Sequence, residues 1–403
     1  MNREPEAPGG RSPEAAREEA AGSGREDRDR RWMDRALELA ERGWGRVEPN
    51  PMVGAVVVRG DRVVGEAYHR EFGDAHAEVL ALEEAGEAAR GATLYVTLEP
   101  CTHHGKTPPC TDAVLRAGVS RVVIGCRDPH REAGGGAREL RRRGLQVRTD
   151  VRGERARAQI ARFLWRELTG RTWVDLKYGL SLDARIARRE GEQTRVTGEE
   201  SAEEVHRLRA GHDAILVGRR TAAVDDPLLT ARGTPSPRVP AVRIVVDAEL
   251  RLPAAGRLAE TAGDVPVWVL AGRGAPEGRR SDLEDRGVRV VELPTREPGR
   301  VDLEAAVAFL SGEGVGSVLV EGGGRIGASL LAGGHVHRMH LFYAPRIFGE
   351  EGVPAFPGPA PAGSAGEAGE QAGWMVERRA GYGEDTLVVL DRRDVRERLR
   401  EAC

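Results

Sequence analysis

Lysine is almost absent. Of the 61 basic residues only Lys106 and Lys177 are lysines, and the other 59 are arginines. A guanidinium stays charged and binds in a planar fork, whereas an ammonium is a compact point charge whose pKa burial can move. The two lysines therefore mark positions to watch. Cysteine is also scarce: four in 403 residues exclude a disulfide framework and leave metal binding or burial. Aromatic residues make up 4% of the chain and the net charge is −3, which speaks against a nucleic-acid surface built on stacking and basic patches. No apolar run approaches the ~18 residues of a membrane span. The N-terminal stretch MNREPEAPGGRSPEAAREEAAGSGRED has no apolar core region, so it is not read as a signal peptide. Residues 1–28 are expected to form a disordered tail and the protein to be cytoplasmic.

What the chain does have is concentrated in His76-Ala77-Glu78 and in TLEPCTHHGKTPPC, Thr97 to Cys110. One histidine and two cysteines fill three positions of a tetrahedral zinc site and leave the fourth open. Zinc held in this way lowers the pKa of a bound water to roughly 7. Glu78, two residues from His76, is the candidate proton carrier. The pattern H-x-E with a later P-C-x-x-C belongs to zinc deaminases. This chain keeps H-A-E and P-C but places eight residues between Cys101 and Cys110. A purely structural zinc is the alternative, with His103 or His104 as a fourth ligand, since closed sites usually take four protein ligands.

The order of elements agrees with an enzyme domain. Asp29–Arg42 has helical spacing, MVGAVVVRGDRVVGEAYH reads as two strands, and HAEVLALEEAGEAAR as a helix. The strand GATLYVTL, a helix opening at Cys110 and the strand RVVIGC follow. This β-β-α-β-α-β order predicts an α/β sandwich with metal ligands at helix starts, where the positive end of the dipole favours thiolates. Residues 29–150 form this domain and 151–171 a helical connector with Ile160, Phe163, Leu164 and Leu168 on one stripe. A second α/β domain spans 172–393, with a short tail at 394–403. Late in it, Gly322–Gly327 reads G-x-G-x-x-G between a strand and a helix, the context of a backbone phosphate cradle, or else of a tight turn.

PNPMVGAVVV, HAEVLAL and TLEPCTHHGKTPPC resemble the deaminase half of the bifunctional riboflavin-biosynthesis deaminase/reductase family. LKYGLSLDARIA, LRAGHDAILVGRRTAAVDDPLLTAR and VLVEGGGRIGASLL resemble its reductase half. The resemblance implies a cytidine-deaminase-like α/β/α sandwich followed by a dihydrofolate-reductase-like α/β domain. It implies zinc on His76, Cys101 and Cys110 with Glu78 catalytic, and a deaminase substrate site at Asn50, His69, His103 and Lys106. In the reductase it implies NADPH contacts at Lys177, Leu180, Arg195, Thr221, Gly323, Gly324, Arg325, Ile326, Gly327, Ala328 and Ser329. Substrate contacts are implied at Gln193, Arg209, Asp225, Leu229, Arg232 and Glu321.

The implied activity is hydrolytic deamination of a diaminopyrimidinone ribosyl phosphate and then NADPH-dependent reduction of its ribosyl group to ribityl. The expected partner is that small molecule, with no nucleic acid and no membrane, in a homo-oligomer. A deaminase whose second domain only binds or oligomerises is the alternative. A zinc-stabilised nucleic-acid-binding module is a further one, which the charge and the few aromatics disfavour. Three places depart from the family: it tends to follow Asp-Pro-Asn with V-x-G-x-G, where this chain reads Asp128-Pro129-His130 and then REAGGG; it favours glycine at Ala184; and it favours tryptophan at Arg195. If position 184 needs a positive φ, the alanine strains its loop.

Overall fold

Gly54–Arg59 (β1) is buried along five of its six residues, which a strand achieves only when both faces of its sheet are covered. It forms a hairpin with Arg62–Tyr68 (β2) and lies antiparallel to Thr93–Leu98 (β3) as well. Arg121–Cys126 (β4) and Gln146–Arg148 (β5) continue from β3 in parallel, giving the order β2-β1-β3-β4-β5. On one face Val57, Leu94, Val96 and Ile124 pack with Ala81, Leu82 and Val114 of the helices Ala77–Ala85 and Cys110–Ala117. Each such buried aliphatic side chain contributes on the order of 1.5–3 kcal/mol, so a one-residue slip of any inner strand would cost more than a small domain can spare. The computed structural model describes residues 13–103, 108–130, 132–233, 235–358 and 373–402. This sheet lies in the first of two compact units, which takes in the chain up to Arg42, Val53–His69 and Asp74–Gln159.

The expected disordered tail is corrected here. A helix runs from Pro13 to Ala40 and so covers residues 13–28, while residues 1–12 lie outside the described ones. The reason is a long-range ionic anchor. Asp29 is fully buried, and it accepts hydrogen bonds from both Nη atoms of Arg121 at 2.7 Å, from Arg148 at 3.0 Å and from Tyr95 at 3.1 Å. Burial works against its charge, but these partners outweigh it and hold the carboxyl below its usual range. Glu26, within the supposed tail, pairs with Arg148 at 3.0 Å.

The second unit holds Gly43–Met52, Arg70–Gly73 and the chain from Ile160 onward. The expected connector is therefore two helices, Gly153–Gln159 in the first unit and Ala161–Thr169 in the second. The strands are β6 (Trp173–Leu180), β7 (Arg185–Ala187), β8 (Ala214–Gly218), β9 (Val242–Val246), β10 (Val267–Gly272) and β11 (Arg289–Leu293). They continue as β12 (Thr295–Glu297), β13 (Arg300–Val301), β14 (Ser317–Glu321), β15 (Arg338–Tyr343), β16 (Val353–Pro354), β17 (Trp374–Tyr382) and β18 (Asp385–Arg392). The main sheet has the order β11-β10-β9-β8-β14-β6-β15-β18-β17, parallel as far as β15 and antiparallel beyond it. The helix Glu199–Ala210 covers Leu319, Phe342, Leu387 and Val389 with Val205 and Leu208. On the opposite face, the helices Leu303–Gly312 and Gly324–Ala332 cover Leu176, Tyr178, Val318 and Val320.

The expected C-terminal tail is a helix, Arg393–Ala402, because Val395 and Leu399, one turn apart, are both buried. Among the described residues no helix is long and apolar enough to cross a membrane.

Ala184 has φ +56°, the left-handed region in which an L side chain is strained. The turn imposes it: Ala184 N donates to Ser181 O at 3.0 Å, and Ala184 O accepts from Ala355 N at 3.1 Å. Ala184→Gly should therefore stabilise this unit by about 1 kcal/mol. The check is the denaturant midpoint at which reductase activity is lost. A lower midpoint in the variant would refute the strain.

Candidate active site

The strand β3 and two helix starts bring the deaminase residues together. His76 is the N-cap of Ala77–Ala85, Glu78 lies in that helix's first turn, and Cys110 opens the next helix. Cys101 follows β3 by three residues. His76 Nδ1 is 3.0 Å from Cys110 Sγ and 3.7 Å from Cys101 Sγ, and Cys110 N donates to Cys101 Sγ at 3.3 Å. One ligand atom from each of His76, Cys101 and Cys110 lies within 4.8 Å of the others. Ligands held at 2.0–2.3 Å by one tetrahedral ion stand roughly 3.5–4 Å apart, so the set fits zinc.

The electrostatics agree. A hydrogen bond from Cys110 pulls the Cys101 thiol down to about 4, and the same contact pushes the Cys110 thiol up. A divalent cation held by these residues would favour the thiolate form of both. Glu78 is buried, and desolvation raises its carboxyl above the usual range despite the favourable charge of His76. The hydrogen bond to Cys101 raises His76.

The other expected deaminase residues are less uniform. His69 is buried, meets His76 edge to face at 5.6 Å and sets its Nδ1 3.3 Å from Ala75 O. The His103 ring stacks on His130 at 6.3 Å, and its buried Nδ1 has no partner among the described residues. Asn50 falls in the Gly43–Met52 segment of the second unit, where its N donates to Val47 O. Lys106 lies outside the described residues.

Sequence reasoning missed Glu99. This buried carboxylate accepts Ala137 N at 2.7 Å and Asp128 N at 3.1 Å, so it seats the loop that carries His130 beside the cysteine loop. Its only local signal is an acid directly before Pro100-Cys101 at a strand end.

In the second unit β6 and β14 are in register at Lys177 and Glu321. Arg209 forks onto Glu321 with Nε–Oε1 2.6 Å and Nη2–Oε2 2.9 Å, and Lys177 Nζ is 3.8 Å from Oε2. Burial alone would raise the Glu321 carboxyl, but Arg209 and Lys177 hold it at about 2. Burial lowers Lys177 against the pull of Glu321. Arg209 Nη1 also donates to Thr230 O at 3.2 Å, in the stretch between Leu229, which is buried with φ +50°, and the exposed Arg232. Gln193 reaches Asp225 O at 3.5 Å, and burial raises the Asp225 carboxyl. Leu180 is buried at the end of β6.

After β14 the chain turns through Gly322 and Gly323, with φ +79° and +81°, into the helix Gly324–Ala332. A side chain at Gly322 would press on Thr221 at 3.2 Å, whereas the Cβ position at Gly323 meets nothing nearer than 3.9 Å. The close approach expected at Gly324 is to the chain itself, because a Cβ there would stand 2.7 Å from Pro354 O. Gly327 leaves room for the Tyr178 hydroxyl. Arg195 is exposed, and its carbonyl accepts from Arg346 at 2.9 Å.

Residues 26–126 match the cytidine and deoxycytidylate deaminase zinc-binding region, and residues 172–364 match the RibD C-terminal domain. The riboflavin biosynthesis protein RibD of Aquifex aeolicus is 40% identical over 323 residues, 80% of this chain and 88% of that protein. RibD of Escherichia coli is 38% identical over 345 residues, 82% of this chain and 92% of its own length. The chain belongs to the RibD family. Solved structures agree with the family. Acinetobacter baumannii RibD superposes with a TM-score of 0.75 at 31% identity, covering 91% of this chain and 99% of that one. A diaminohydroxyphosphoribosylaminopyrimidine deaminase/5-amino-6-(5-phosphoribosylamino)uracil reductase from Thermotoga maritima gives 0.74 at 33% identity, with the same coverage. The protein is thus a bifunctional enzyme of riboflavin biosynthesis, a zinc-dependent deaminase joined to an NADPH-dependent reductase that acts on a small-molecule substrate.

Proposed function

We propose that Glu78 is the proton carrier of the deaminase and that Lys177, Arg209 and Glu321 form the reductase's sugar-binding centre. The observation that carries the first assignment is the joining of His76, Cys101 and Cys110 with a buried carboxylate beside them, in the first turn of the helix that His76 caps. Zinc on these three residues supplies Lewis acidity for hydrolysis. Glu78, whose carboxyl burial raises above its ordinary range, takes a proton from the attacking water and gives one to the departing amine. Carbon–nitrogen cleavage then yields ammonia and the pyrimidinedione. His69 and His103 orient the ribosyl phosphate.

NADPH supplies the reducing equivalents in the second half. The Arg209–Glu321 fork keeps Glu321 ionised as an acceptor for sugar hydroxyls. Lys177 is the nearby group that donates a proton as C1′ is reduced. Asp225, Gln193, Leu229 and Arg232 border the same side. The glycine turn, with Thr221 and Arg325 to Ser329, takes the cofactor's pyrophosphate on backbone N–H groups. A cytoplasmic setting suits two thiol ligands that must stay reduced. A homo-oligomer suits Leu182 and Ile347, two exposed apolar side chains brought close by the hydrogen bond from Leu182 N to Arg346 O.

The test is incubation of the purified protein with 2,5-diamino-6-ribosylamino-4(3H)-pyrimidinone 5′-phosphate. Ammonia should appear without NADPH, and ribityl product only when NADPH is added. NADPH oxidation without prior ammonia release would overturn the proposed order.

A further inference from the structure

Arg243, on β9, is fully buried with no acid paired to it. Burial works against its charge, and Asp264 offsets this only from beyond ion-pair distance among the described residues. The guanidinium serves neutral oxygens instead. Nη1 donates to Leu228 O at 3.3 Å and to Thr261 Oγ1 at 2.7 Å, while Nη2 donates to Thr261 O at 2.8 Å and to Val265 O. A buried cation held only by neutral acceptors is costly, and an apolar residue would fill the same space at least as well. The shape that the fork imposes is what sets arginine apart here.

That shape belongs to the loop after the helix Arg219–Asp225. Asp226 and Leu229 have φ +39° and +50°, the left-handed region that an L side chain keeps only where its surroundings impose it. Several contacts impose it. Asp226 Oδ1 accepts Arg257 N at 2.8 Å, and Leu229 is buried in one cluster with Leu258 and Ala259. On one flank of Leu229, Arg243 holds Leu228 O. On the other, Thr230 O accepts from Arg209 Nη1 at 3.2 Å, with His206 Nδ1 also 3.2 Å away. Arg209 in turn forks onto Glu321. A run of contacts therefore leads from Arg243 through residues 228–230 to that fork, and the exposed Arg232 follows two residues on.

We propose that Arg243 is a positioning residue of the reductase. Through Leu228 O it sets the loop that braces Arg209 and carries Arg232, and so sets the affinity for the phosphorylated sugar without touching it. This rests on the reading of Arg209, Arg232 and Glu321 as the sugar-binding side. Arginine suits the task because its planar fork reaches several oxygens at fixed angles, which a lysine ammonium does not.

The test is steady-state reduction of the supplied deaminated intermediate by the zinc-loaded full chain, with KM measured separately for that substrate and for NADPH. Arg243→Met, flexible and uncharged, should raise the KM for the intermediate about tenfold, the worth of one hydrogen bond. Its kcat and its KM for NADPH should stay near parental values, the pattern of lost substrate binding. Arg243→Lys should give a smaller rise. Millimolar guanidinium should lower the raised KM of Arg243→Ala, where truncation leaves room for it, and should not change the parent. A lower melting temperature with both KM values unchanged would mean a merely structural role and overturn the proposal. So would an equal rise in both KM values, or a loss confined to kcat. If Arg243→Met does not fold, Arg243→Lys, which keeps the buried cation, carries the same comparison. Arg232→Ala separates the two readings. A raised KM for the intermediate there, with none in the Arg243 variants, refutes the positioning role alone. An unchanged KM in Arg232→Ala means that the loop does not meet the sugar phosphate, and both readings fail.

Discussion

Cys101→Ala should strip the zinc, abolish ammonia release and leave the reductase half working. Cys101 supplies one of three ligand atoms that lie within 4.8 Å of one another, and its thiol is the one already pulled down to about 4. An outer-sphere partner of a metal ligand is typically worth 10–100-fold in affinity, so removing a thiolate ligand itself should exceed that. The fold should tolerate the change. Cys101 packs in a small cluster with Cys110, Ala133 and Val79, apart from the main core of its sheet. Elemental analysis should find about one zinc per chain in the parent and almost none in the variant. NADPH oxidation on the supplied deaminated intermediate should persist. Full metal content in the variant would remove Cys101 from the ligand set.

The deaminase centre was legible because its chemistry is local. His76 and Glu78 sit on one helix start, Cys101 follows a strand, and Cys110 opens a helix, so short stretches fix both identity and placement. What the sequence concealed depends on distant partners. The residues up to Glu26 read as a charged tail because Arg148, which pairs with Glu26, and Arg121, which holds the neighbouring Asp29, lie about a hundred positions away. The C-terminal helix shows only Val395 and Leu399 as apolar anchors, too weak a stripe to read without the surface they meet.

In the reductase half the glycine turn was visible, but which glycine faces a ligand was not. Gly324 is required by Pro354, thirty residues on, while Gly323 is the one with open space beside it. The strained Ala184 was legible only as a conditional, since its φ is imposed by hydrogen bonds to Ser181 and Ala355.

Glu78→Gln should keep the zinc and the fold but lose deamination by about 10²–10⁴-fold, the usual share of a general acid–base group. The amide is close in shape to the carboxyl and cannot carry a proton between water and amine. Glu78 is 3% exposed, and burial opposes its ionised form, so a neutral replacement removes a desolvation cost and adds no cavity. The melting temperature of the zinc-loaded variant should therefore not fall. Two assays on one preparation decide the matter: zinc by elemental analysis and ammonia by a coupled enzyme. Zinc at parental level with ammonia release down at least a hundredfold supports Glu78 as the carrier. Near-parental release would give that role to another group, and loss of zinc would show that Glu78 shapes the ligand set instead. Reduction of the supplied deaminated intermediate provides the internal standard, because Lys177, Arg209 and Glu321 belong to the other compact unit.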